Sequence, residues 1–133
     1  MENLGSDRKR ILIVDDDETI RSGLSELLTR HGYEVHTAQD TNSALVMWER
    51  VDVDLVITDI LMPGESGLSL IQAIRDYDTS IRIIGISGGG RNKGAGLLKV
   101  AKKMGADQVL QKPISAAEII DTVKVALYPE CNQ

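Results

Sequence analysis

Two apolar runs in this chain each end abruptly in acid. Ile11-Leu12-Ile13-Val14 leads into Asp15-Asp16-Asp17, and Asp54-Leu55-Val56-Ile57-Thr58 leads into Asp59, followed by Ile60-Leu61-Met62-Pro63-Gly64. A short β-branched run bounded by turn residues reads as a strand buried on both faces, as in a parallel sheet. In open parallel sheets, ligands bind beyond the carboxyl ends of the strands. If the two strands are neighbours, their terminal carboxylates crowd one small volume. Close like charges repel, and a hard divalent cation with oxygen ligands is the usual remedy. The pattern predicts a pocket for Mg²⁺ and phosphate built on Asp15, Asp16 and Asp59.

The rest of the chain supplies the sheet that this requires. Strand-like runs fall at Arg10–Val14, Glu34–Ala38, Asp54–Thr58, Ile81–Ile86 and Gln108–Leu110. Helical spacings separate them: Ile20, Leu24, Leu27 and Leu28, closed by Gly32; Ala44, Leu45 and Trp48; Leu68, Ile71 and Ile74, opened by Gly67; Leu97, Leu98, Ala101 and Met104, closed by Gly105; Ile119, Val123, Ala126 and Leu127. Ser115, three residues before Glu118, is the expected N-cap of the fifth helix. Strands alternating with helices define an α/β fold, and right-handed crossovers leave few topologies. A flavodoxin-like, doubly wound (βα)5 sheet of order 2-1-3-4-5 places the two acid-tipped strands side by side. The expected organisation is a tail at residues 1–8, one domain over 9–127 and a second tail at 128–133.

Composition narrows the function. The net charge of −5 argues against a nucleic-acid footprint in this segment. Cys131 is the only cysteine, which excludes an intramolecular disulfide and suits a reducing cytoplasm. Met1–Arg10 has no apolar stretch of the signal-peptide kind, and no run approaches the roughly 20 apolar residues of a membrane helix.

Further residues can face the acidic pocket. Ser87 ends the fourth strand and can donate to a phosphoryl oxygen, although Ser before Gly is also ordinary turn chemistry. Lys112 ends the fifth strand, where a cation offsets the acids and can pair with added phosphate. Pro113 beside it is either a strand stop or a cis peptide that aims Lys112 inward. One Asp of the triplet, Asp17, is expected to cap the first helix, which leaves two in excess. The stretch Ser87–Gly96, rich in glycine, fits neither G-x-x-x-x-G-K-[ST] nor G-x-G-x-x-G. It reads as a flexible loop that reorders when the pocket fills.

Taken together, Ile11–Asp17, Asp59–Gly64 with Gly67, Ile86-Ser87-Gly88 and Lys112-Pro113 resemble the response regulator receiver domain of two-component signalling, over about residues 9–127. The resemblance implies that Asp59 is the phosphoacceptor. Asp15 and Asp16 hold Mg²⁺, Asp16 more directly, helped by Asp59 and the backbone carbonyl of Leu61. Ser87 is then the switch hydroxyl and Lys112 the cation that pairs with the phosphate. Val109 stands where the family often has an aromatic, Ile114 where it often has Phe, and the loop after Ser87 is longer and richer in glycine.

The implied function is phosphoryl transfer from a histidine kinase or histidine phosphotransfer protein onto Asp59, followed by a change of surface for a downstream protein. No enzyme activity is expected beyond the domain's own phosphorylation and dephosphorylation, and no contact with nucleic acid or membrane. With only Tyr128–Gln133 after the fifth helix, a complete chain would be a single-domain receiver. Its output would lie on helix four, strand five and helix five. Two rivals exist. Asp15-Asp16-Asp17-Glu18-Thr19 also spells the D-x-D-x-T opening of haloacid-dehalogenase-type phosphatases, with Asp15 as nucleophile and Asp17 as acid/base. That reading leaves Asp59–Gly64 unexplained and lacks a further acidic metal pair after Lys112. A receiver fold that serves only as a non-phosphorylated scaffold is disfavoured by the intact set of acids, hydroxyl and lysine.

Overall fold

The computed structural model describes residues 8–62, 65–88 and 93–129. Five strands, β1 (Arg10–Val14), β2 (Glu34–Ala38), β3 (Leu55–Asp59), β4 (Arg82–Ser87) and β5 (Gln108–Gln111), alternate with five helices. The helices are α1 (Glu18–Arg30), α2 (Thr41–Arg50), α3 (Gly67–Tyr77), α4 (Lys93–Met104) and α5 (Ala116–Leu127). All pairings in the sheet are parallel and its order is β2-β1-β3-β4-β5, the expected 2-1-3-4-5. A two-residue antiparallel ladder, Leu61–Met62 with Glu65–Ser66, bridges β3 and α3 and was not legible as strand.

Alternation along the strands sorts the core into two layers. Ile11, Ile13, Leu55, Ile57, Ile84 and Ile86 face one side, where Leu28 of α1 and Ile119 and Val123 of α5 cover them. Leu12, Val14, Val56 and Ile83 face the other, against α2, α3 and α4 through Ala44, Leu70, Ile71, Ile74 and Ala101. Each fully buried aliphatic side chain contributes about 1.5–3 kcal/mol. The central strands are therefore anchored from both faces, and their carboxyl ends form a rigid platform.

Local chemistry sets where the elements begin. Asp17 caps α1 by accepting from the amides of Thr19 and Ile20, and Ser115 with Glu118 forms the expected capping box of α5. β3 and β4 each start one residue later than the sequence pattern suggests. Asp54, just ahead of β3, is tied to both neighbouring strands: its carboxylate accepts from the Arg10 amide at 2.8 Å, its amide donates to the Arg10 carbonyl at 2.9 Å, and its carbonyl accepts from the Arg82 amide at 3.2 Å. Asp59 and Ser87 are the last residues of their strands. The glycine-rich stretch is corrected in part. Lys93–Gly96 belong to α4, carried into the helix by the apolar stripe that begins at Leu97, at about 1 kcal/mol of propensity per glycine. Residues 89–92 of the expected loop lie outside the described residues, as do Pro63, Gly64 and Cys131. No described helix is long and apolar enough to cross a membrane.

Candidate phosphoacceptor site

The strand order does what the acid pattern requires. β1 lies beside β3 in register up to Val14↔Thr58, so Asp15 and Asp59 emerge together at the carboxyl edge. One carboxylate oxygen each from Asp15, Asp16 and Asp59 lies within 4.8 Å of the others. Asp15 is 3% and Asp59 6% exposed, whereas Asp16 faces solvent. Lys112 reaches in from the end of β5, with Nζ 3.4 Å from Asp15 Oδ2 and 3.6 Å from Asp59 Oδ2. Its backbone amide is tied to the Ser87 carbonyl at 2.9 Å, and the Lys112–Pro113 peptide is cis.

Burial pushes the Asp59 carboxyl up from 3.8 to about 6. The Lys112 ammonium opposes that shift, Asp15 adds to it, the Leu61 amide opposes it, and Asp16 adds a little. The amide of Leu61 is thus the feature the sequence did not reveal at that position. Among the described residues, Asp59 Oδ1 and Ser87 Oγ are buried without a hydrogen-bond partner. Such atoms cost free energy unless something else fills the site. Three converging carboxylates and an orphaned oxygen fit a hard divalent cation.

Two neighbours shape the platform beneath. The amide of Gly67 donates to the Ile60 carbonyl at 2.8 Å, and a Cβ at Gly67 would run into the Asp59 carbonyl oxygen and stand 2.9 Å from Ile60 Cα. Only glycine lets α3 start this close to the end of β3. At Gly88, a Cβ would meet Lys112 Cδ at 2.9 Å, so the lysine stem lies against bare backbone there. Asp17, the acid/base of the phosphatase reading, is exposed and engaged as a helix cap, outside the acidic cluster.

An acidic pocket at the switch point of a five-stranded parallel sheet, with a lysine and a hydroxyl beside it, is the arrangement that the receiver-domain resemblance implies. The model of the response regulator receiver domain matches residues 11–124, and the chain belongs to that family. It is 39% identical over 120 residues to the DNA-binding transcriptional regulator NtrC of Azospirillum brasilense, covering 88% of this chain and 24% of that protein. It is 35% identical over 118 residues to PetR of Rhodobacter capsulatus, covering 88% and 48%. The chain thus spans less than half the length of these curated relatives. Among solved structures, the receiver domain of NtrX from Brucella abortus aligns with a TM-score of 0.82 at 31% identity, covering 88% of this chain and 97% of that one. The chemotaxis protein CheY4 of Vibrio cholerae aligns with a TM-score of 0.80 at 28% identity, covering 90% and 99%.

Proposed function

We propose that Asp59 accepts a phosphoryl group from the phosphohistidine of a histidine kinase or histidine phosphotransfer protein, with Mg²⁺ held by Asp15, Asp16, Asp59 and the Leu61 carbonyl. The observation that carries this reading is the buried, unpartnered Oδ1 of Asp59 beside Asp15, Asp16 and Lys112. With a pKa of about 6, Asp59 is mostly ionised at neutral pH and keeps the lone pair a nucleophile needs. Its oxygen attacks phosphorus, the P–N bond breaks, and the electron pair returns to the imidazole nitrogen. A Mg²⁺ ion held by Asp15, Asp16 and Asp59 would supply charge neutralisation for this transfer.

Lys112, now 3.6 Å from Asp59 Oδ2, is placed to pair with the new phosphate. Ser87 is buried with an unused hydroxyl and can turn to donate to a phosphoryl oxygen. Because Ser87 closes β4, that movement reaches the segment leading to α4 and shifts the population between two surfaces. Chemistry is confined to the domain's own phosphorylation and dephosphorylation. The test is incubation with acetyl phosphate and Mg²⁺: wild type gains one base-labile phosphate and Asp59→Asn gains none. Undiminished labelling of Asp59→Asn refutes the assignment.

A further inference from the structure

Arg21 sits on α1 one turn beyond Asp15-Asp16-Asp17-Glu18, yet it pairs with none of these carboxylates among the described residues. Its Nη1 instead donates to the backbone carbonyl of Asp15 at 2.7 Å, in a part-buried setting. Its own amide donates to the Asp17 carbonyl at 3.0 Å. An arginine that served only as a counter-charge would take a carboxylate, where a charge-assisted, bidentate bond is available. This one spans the acidic turn and ties its backbone to the first turns of α1.

The remaining ties of the turn show what is being held. The paired register of β1 with β3 ends at Val14↔Thr58, so Asp15 already lies past that ladder. Its amide still reaches Ala38 of β2 at 3.2 Å, and its Oδ1 accepts the Asp17 amide at 2.9 Å. Oδ2 is left to face Lys112 at 3.4 Å. The carbonyl of Asp15 belongs to the peptide that leads into Asp16, so the Arg21 bond restrains the plane from which the Asp16 side chain departs. We infer that Arg21 is a positioning residue for the acidic turn, holding Asp15 and Asp16 so that they converge with Asp59 on a divalent cation.

This rests on the reading that the cluster holds such a cation, and the sign of the effect separates positioning from simple charge. Removing a nearby positive charge should by itself tighten Mg²⁺ binding. Removing a bond that orients the ligands should weaken it, by about ten-fold for supporting contacts of this kind. The experiment is a Mg²⁺ titration at fixed ionic strength, followed through the backbone amide shifts of residues 15, 16 and 59, for wild type, Arg21→Ala and Arg21→Lys. Each protein's thermal unfolding is recorded without the metal. The expected order of affinity is wild type, then Arg21→Lys, which keeps a donor and the charge, then Arg21→Ala. In an Asp16→Asn background the further loss caused by Arg21→Ala should shrink, because the positioned carboxylate is gone. If Arg21→Ala does not fold, Arg21→Lys against wild type decides, with weaker binding expected. Wild type that binds no Mg²⁺ at millimolar concentration overturns both the cation reading and this role. Wild type that binds, with Arg21→Ala (or Arg21→Lys, if only it folds) as tight or tighter, overturns the role of Arg21 alone.

Discussion

Asp59→Asn should stabilise the fold, and by an amount that depends on pH in a defined way. The raised pKa of Asp59, about 6 against 3.8 in an exposed chain, means that the folded state resists its ionisation. The difference of about 2 units corresponds to on the order of 3 kcal/mol. Between the two values the native state binds more protons than the unfolded one, so wild-type stability falls as pH rises through that window. Below about pH 4, Asp and Asn at this position should be nearly equivalent, and above about pH 6 the full difference should appear. In urea unfolding with a chelator present, 3 kcal/mol displaces the midpoint by about 1.5 M for a slope near 2 kcal/mol/M. Added Mg²⁺ should narrow the gap, because it stabilises wild type by mass action while the variant has lost a ligand. A stability difference that does not change with pH, or a variant less stable than wild type at neutral pH, would refute the reasoning.

Other perturbations test the neighbours of the site. Lys112→Ala should fold with reduced stability, because it leaves two buried acids without their cation, and should lose the spectral response to beryllofluoride and Mg²⁺ seen in wild type by NMR; a wild-type response would count against the role of Lys112. Gly67→Ala should destabilise by about 1–3 kcal/mol or more, because the added methyl meets backbone that cannot swing aside, and a neutral effect in denaturant titration would contradict the packing described. Ser115→Ala should cost about 1 kcal/mol in thermal or urea unfolding through loss of the capping box, with little change in the rate of phosphorylation by acetyl phosphate.

Much of this was legible in local sequence because short-range physics decides it. β-branched runs ending in acid can be little else than buried strands opening onto a polar edge, and Asp17 and Ser115 offer side chains of the right length at helix starts. The convergence of Asp15 and Asp59 was legible through one further step, the strand order that alternating elements favour. The pattern places the starts of β3 and β4 one residue early, at Asp54 and Ile81, while Ser87 closes its strand as expected; the two strands begin where Leu55 pairs with Arg82, a register that local sequence does not specify.

The sequence by itself determined the α/β class, the apolar faces of the helices and the identity of the acids, hydroxyl and lysine, since residue type and spacing along one chain are enough for these. Only the tertiary structure decided that Lys112 Nζ stands between Asp15 and Asp59, that Asp59 is buried enough to resist ionisation, that Gly67 must lack a side chain, and that Arg21 chooses the Asp15 carbonyl over a carboxylate. Each of these depends on distances between atoms carried by different elements, or on how solvent is excluded from a shared volume. Spacing along the chain specifies neither until packing of the two core layers has set the strand ends in place.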